Sequence, residues 1–152
     1  MRNSRLAYLF NLTLISGVLM IGALMSASSA KAQSDSIIGT VNVPFTFHIG
    51  KQVMPAGMYR IQLQSNHGLR IRGENQSAFV LIHTATSRKA PSMGYVNFHH
   101  YENTYFLAEV WTAGDNYGME CAKSRTEQEM IKASNKRAPS LTALTLDSAK
   151  LP

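Results

Sequence analysis

The chain has 152 residues, 45% hydrophobic and 16% charged, with one tryptophan, one cysteine and a formal charge of +6. Those values exclude a multidomain enzyme, a disulfide-rich miniprotein, a polytopic membrane protein and a wholly disordered chain. They predict one domain of ordinary core-forming capacity, with a basic balance that invites a nucleic-acid reading.

Residues 1–32 read as a secretory signal peptide. Arg2 and Arg5 form a positive start, and no acidic residue precedes Asp35. Leu6 to Met25 is mostly apolar, and Ser26-Ala27-Ser28-Ser29-Ala30 then supplies small residues. Signal peptidase needs small side chains at the first and third positions before the cut. Ala30-Lys31-Ala32 meets that need, so cleavage after Ala32 is favoured, with Ser28-Ser29-Ala30 as a second option. The rival reading is a retained membrane anchor, because about 20 apolar residues can span a bilayer. The polar interruptions and the glycines favour removal. The expected destination is the periplasm or the outside of the cell, with membrane contact only through an uncleaved signal.

Cleavage removes Arg2, Arg5 and Lys31 but no acid. It leaves 120 residues with twelve cations against nine anions, a net +3. The remaining basic residues are scattered, whereas a phosphate-binding surface needs several on one face. Strand alternation can gather Arg60, Arg70 and Arg72 on a solvated face, as expected for the outside of a half-buried sheet. No nucleic-acid partner is predicted.

After Gln33 the pattern has period two. Phe45, Phe47 and Ile49 alternate with polar positions. Tyr59, Ile61 and Leu63 alternate with Arg60, Gln62 and Gln64, and Leu69 and Ile71 with Arg70 and Arg72. Ala78-Phe79-Val80-Leu81-Ile82 is apolar on both sides, as a central strand buried on both faces would be. Pro55-Ala56-Gly57, Ser65-Asn66-His67-Gly68 and Gly73-Glu74-Asn75-Gln76 are turn clusters at hairpin spacing. Strands are expected at 95–101 and 105–112, reversing at Glu102-Asn103. Ser124-Arg125-Thr126-Glu127 fits a capping box opening a short helix near 124–135, with a thin apolar face of Met130, Ile131 and Ala133. The tail, 138–152, is read as an edge strand or a disordered end. The expected fold is mainly β: a single antiparallel β-sandwich or small β-barrel over 33–137, with one short C-terminal α-helix.

In that order, Val43-Pro44-Phe45 with Phe47, Met54-Pro55-Ala56-Gly57 with Tyr59, and Ala78-Phe79-Val80-Leu81 are followed by Phe98-His99 with Tyr101. Tyr105-Phe106-Leu107, Glu109-Val110-Trp111, Gly118 with Glu120, and Lys123-Ser124 complete the set. In these residues the chain resembles an uncharacterised family of small exported bacterial proteins. The resemblance implies an export signal and a β-rich domain, has no established activity attached to it, and transfers no catalytic residue. Similar sequences usually carry an aliphatic residue at position 121, so Cys121 departs from their pattern.

The densest chemistry is His99-His100-Tyr101-Glu102, joined by Glu109 on the next strand. Neighbours on a strand face opposite ways, so His99 and His100 cannot share one metal. A zinc or copper site would need His99 with His83, His48 or Glu109. Pairing about Asn103 would set His99 near Leu107 and Tyr101 near Tyr105. Cys121 reads as a small buried hydrophobe, an intermolecular disulfide partner, or a nucleophile lacking a recognisable base. Hydrolase and phosphate-loop motifs do not occur in the sequence. No cofactor is predicted.

Tyr95, Tyr101, Tyr105, Trp111 and Tyr117 fall in one hairpin and the loop after it. They either fill the core or offer a stacking surface. Trp111 is expected on one face with Tyr105, Leu107 and Glu109, and the 113–118 loop is expected to be flexible. The leading expectation is a non-catalytic exported domain acting by binding or self-association. Its candidate contact residues are Trp111, Tyr105, Asp115, Tyr117 and His99, with an edge strand as a second route. The alternatives are a metal-binding protein or hydrolytic enzyme using His99, Glu102 and Glu109, and a carbohydrate-binding module with a polysaccharide partner.

Overall fold

Alternating apolar residues along each segment need a shared interior, and the strands wrap around one. The computed structural model describes residues 36–65, 67–134 and 138–148; the predicted signal segment lies outside them. Eleven strands form, β1 (Ser36–Val43), β2 (Phe47–Ile49), β3 (Gln52–Met54), β4 (Gly57–Ser65), β5 (Gly68–Arg72) and β6 (Ser77–Thr86) leading. β7 (Tyr95–Tyr101), β8 (Thr104–Trp111) and β9 (Tyr117–Cys121) precede helix α1 (Arg125–Ala133), and β10 (Ser140–Thr145) and β11 (Asp147–Ser148) come after it. The molecule is mainly β with one short helix, as the alternation predicts.

The strand order is β10-β7-β8-β9-β6-β5-β4-β1-β11. Two segments turn this path into a folded-over layer. Residues 77–81 of β6 pair with β5, while 82–86 pair with β9, so one long strand belongs to both sheets. At the opposite side β10 pairs with β7 and β11 pairs with β1, separated by Leu146. Leu146 is buried, and its amide donates to the Gly94 carbonyl at 2.9 Å. Of the two readings of the tail, the edge strand is the one seen over 140–148: β10 pairs with β7 alone and β11 with β1 alone. β1 and β4 to β9 all have partners on both sides, and the three-residue β3 pairs with β2 alone.

The core collects the inward positions of both sheets: Val41, Val43, Phe47, Tyr59, Ile61, Leu69, Ile71, Val80, Val96, Phe98 and Val110 among them. An aromatic chain ties the sheets together. Tyr105 is stacked between His100 (4.2 Å) and Phe45 (3.9 Å), Phe45 meets Phe98 edge-on at 5.3 Å, and Phe47 meets both Phe98 and Tyr59 edge-on.

Three expectations are corrected. β6 is central in the order, yet only Ala78, Val80 and Ile82 face inward; Phe79 and Leu81 are 52% and 57% exposed. Among the described residues no helix or second layer lies over Phe79 and Leu81, although Gln62, in the same row as Phe79, is buried. In the β7–β8 hairpin, Tyr101 pairs with Thr104 and His99 with Phe106, one residue off the expected register, because Glu102 and Asn103 form a two-residue turn. Further on, Asn97 faces Glu109 while Phe98 faces Leu107, leaving Ala108 as the extra residue of a β-bulge. The bulge reverses the facing of the residues after it. Tyr105 and Leu107 point to the core, whereas Glu109 and Trp111 point to the outer face.

Candidate functional site

Two outer faces carry the side chains with chemistry. The first belongs to β7, β8 and β9 and lies under α1. Ser124 caps the helix by accepting from the Glu127 amide at 3.1 Å. A full capping box would turn the Glu127 carboxylate back to the cap. It turns instead to the sheet, where Oε1 lies 2.6 Å from Nδ1 of His99 and accepts from the Tyr101 hydroxyl at 3.3 Å. Glu127 is the one buried residue of the helix, whose apolar Met130 and Ile131 are both half-buried, with Ala133 exposed.

A second polar group lies along the same face. Oε2 of Glu109 accepts from the Asn97 amide at 2.9 Å and from the Trp111 indole at 3.0 Å. Trp111 is 5% exposed and lies on Gly118, where a β-carbon would come within 2.5 Å of its ring. Tyr95 stacks beside it at 6.0 Å.

This face does not assemble the predicted contact surface. Trp111 is buried and offers no open ring to a sugar, and Tyr105 is on the core side. His99 is occupied by Glu127. Asp115 and Tyr117 are exposed, but the Asp115 carboxylate accepts from the Tyr117 amide at 2.9 Å and shapes the turn. The loop expected to be flexible is tied to its surroundings by Gly114 N–H to Pro91 O at 2.8 Å and Ser87 N–H to Asn116 O at 2.9 Å.

The alternative triad is also dispersed. His99 binds Glu127, Glu109 binds Asn97 and Trp111, and Glu102 stands exposed at the hairpin tip with a left-handed φ of 52°. Among the described residues no three histidine, cysteine or acidic side chains are grouped to hold a metal ion. Cys121 is buried in the core at 4% exposure. Burial, reinforced by Glu127, Glu109 and Glu120, pushes its thiol up to about 12. It is a small core hydrophobe, neither positioned for an intermolecular disulfide nor ionised for nucleophilic attack.

The second face is the outer side of β1, β4, β5 and β6. Register places Thr40, Arg60, Arg72 and Ser77 in one row and Ile37, Gln62, Arg70 and Phe79 in the next, with Gly68 and Leu81 beyond. The arginines do share a face, as alternation predicts. Around them Ile37 (43% exposed), Met58 (61%), Phe79 and Leu81 stand in solvent. The Phe79 ring partly covers Gly68, since a β-carbon on Gly68 would fall 2.3 Å from it. Leu81 and Met58 extend outward without a comparable role.

Sequence reasoning missed Glu127, read as a cap, and the outward pair Phe79 and Leu81, read as core. The first had no local signal. For the second, Arg60 and Arg72 on β4 and β5 mark that side of the sheet as the wet one.

No family model, no curated protein and no solved structure matches this chain. The functional reading therefore rests on geometry and sequence.

Proposed function

We propose that the protein is an exported, non-catalytic binding domain that works through the outer face of β4, β5 and β6. One observation carries this reading: Ile37 on β1, Met58 on β4, and Phe79 and Leu81 on β6 stand exposed on one sheet face around the exposed Arg60 and Arg72. Contiguous exposed apolar surface marks interaction sites in soluble proteins. The polar groups that catalysis would draw on, His99, Glu109 and Glu127, fasten a helix and a hairpin instead. The basic start, apolar stretch and small-residue junction of residues 1–32 support export.

Photo-cross-linking in the producing cell tests the reading. A benzophenone side chain placed at Leu81 or Met58 should give discrete adducts, and one placed at Arg88 on the distant β6–β7 link should not. Equal, diffuse labelling from all three positions would overturn it.

A further inference from the structure

We infer that this face docks on anionic phospholipid bilayers, with Arg60 and Arg72 meeting headgroup phosphates and the apolar side chains entering the interface. The inference rests on the binding reading above and names its partner. Arg60 lies directly opposite Arg72, and both side chains are exposed. Like charges facing each other across strands are unfavourable, and among the described residues the acid in register with this row, Asp147, is opposite Thr40 on β1 rather than opposite Arg60 or Arg72. The pair is therefore built to meet an anion from outside.

A shallow depression of about 240 Å³ opens at this point, lined by Thr40, Met58, Tyr59, Arg60, Arg72 and Gly73. It suits a phosphate-sized group more than an extended chain. Met58, 61% exposed, stands at its lip, and on the same face two strands away Leu81 extends outward beside Phe79, whose ring lies over Gly68. Cations interleaved with exposed apolar side chains on one face match the layered chemistry of a bilayer interface, phosphate outside and hydrocarbon beneath. A soluble anionic polymer would satisfy the arginines and leave Met58 and Leu81 with no contact.

Co-sedimentation of the protein, purified from its producing cells, tests this. The vesicles are phosphatidylglycerol mixed with phosphatidylethanolamine, compared with phosphatidylcholine alone. Polyglutamate and polygalacturonate serve as soluble anionic probes. The expected result is binding to phosphatidylglycerol vesicles that weakens with salt, at least tenfold tighter than to phosphatidylcholine. Arg60→Gln with Arg72→Gln should weaken it about tenfold or more, and the Arg→Lys pair should retain most of it. Leu81→Ser with Met58→Ser should weaken vesicle binding and leave any polymer binding unchanged.

Equal binding to vesicles and polymers, insensitive to Leu81 and Met58, overturns the lipid assignment and leaves the face a binding surface. Vesicle binding indifferent to every one of these variants also overturns it. Failed vesicle binding with discrete cross-links from positions 58 and 81 rejects the lipid partner alone; failure of both rejects the binding reading too.

Discussion

Oε1 of Glu127 lies 2.6 Å from Nδ1 of His99, which fastens the first turn of α1 to the middle of the β7–β8 hairpin. The helix has a thin apolar side and one buried side chain, so a buried carboxylate with two donors does what a hydrophobic stripe does in most surface helices.

Glu127→Ala should therefore cost more than a helix-surface substitution. Removing the carboxylate leaves His99 and Tyr101 without their acceptor, a loss of about 1–3 kcal/mol in urea unfolding. Glu129→Ala, which breaks an exposed contact to Arg125 at 3.0 Å, should change stability by less than about 0.5 kcal/mol. Equal effects for the two would contradict the role given to Glu127.

Trp111 is a core-type residue despite facing away from the main core. Trp111→Ala should destabilise the fold by about 3–5 kcal/mol. Leu81→Ser, at 57% exposure, should stay within about 0.5 kcal/mol. Gly118→Ala pushes a methyl into the indole and should cost about 1–3 kcal/mol, with a shift in tryptophan emission. Emission unchanged in Gly118→Ala would contradict the packing.

Alkaline pH should weaken the fold through two buried groups. Burial, with Glu127 nearby, holds Tyr101 at about 12 against an ordinary 10.0, and burial holds Cys121 at about 12 against 9.0. Both stay protonated in the folded chain while the unfolded chain ionises. Their contribution is complete below about pH 9 and is lost as pH rises toward about 12. The urea midpoint should fall across that window, and Cys121→Ala should delay the onset toward pH 10. A level midpoint through the window would contradict this.

The legible part of the fold is the part where period two meets a turn signal. β4 and β5 keep their predicted faces because Ser65 to Gly68 and Gly73 to Gln76 fix their registers. The β7–β8 hairpin is readable from sequence, but the bulge at Ala108 is not. An alanine in a strand carries no mark of being the extra residue, and one such residue reverses Glu109 and Trp111. The role of Glu127 is hidden for a related reason: its sequence position satisfies a capping box, and only the fold brings His99 within reach. Hydrophobicity alone assigns Phe79 and Leu81 inward, although exposure depends on whether a second layer exists. The pairing of the tail depends on the 140–148 segment meeting two distant strands, a long-range pairing that local pattern does not encode.

The most direct test of a binding face is whether it is covered where the protein works. Cys121 is buried and protonated, so it stays silent to thiol reagents. A single Leu81→Cys substitution then reports on the face, and Arg88→Cys on a surface away from it. The binding account predicts that position 81 labels rapidly in the purified protein and at least tenfold more slowly in intact producing cells, while position 88 labels alike in both. Equal labelling of position 81 in the two settings would contradict it.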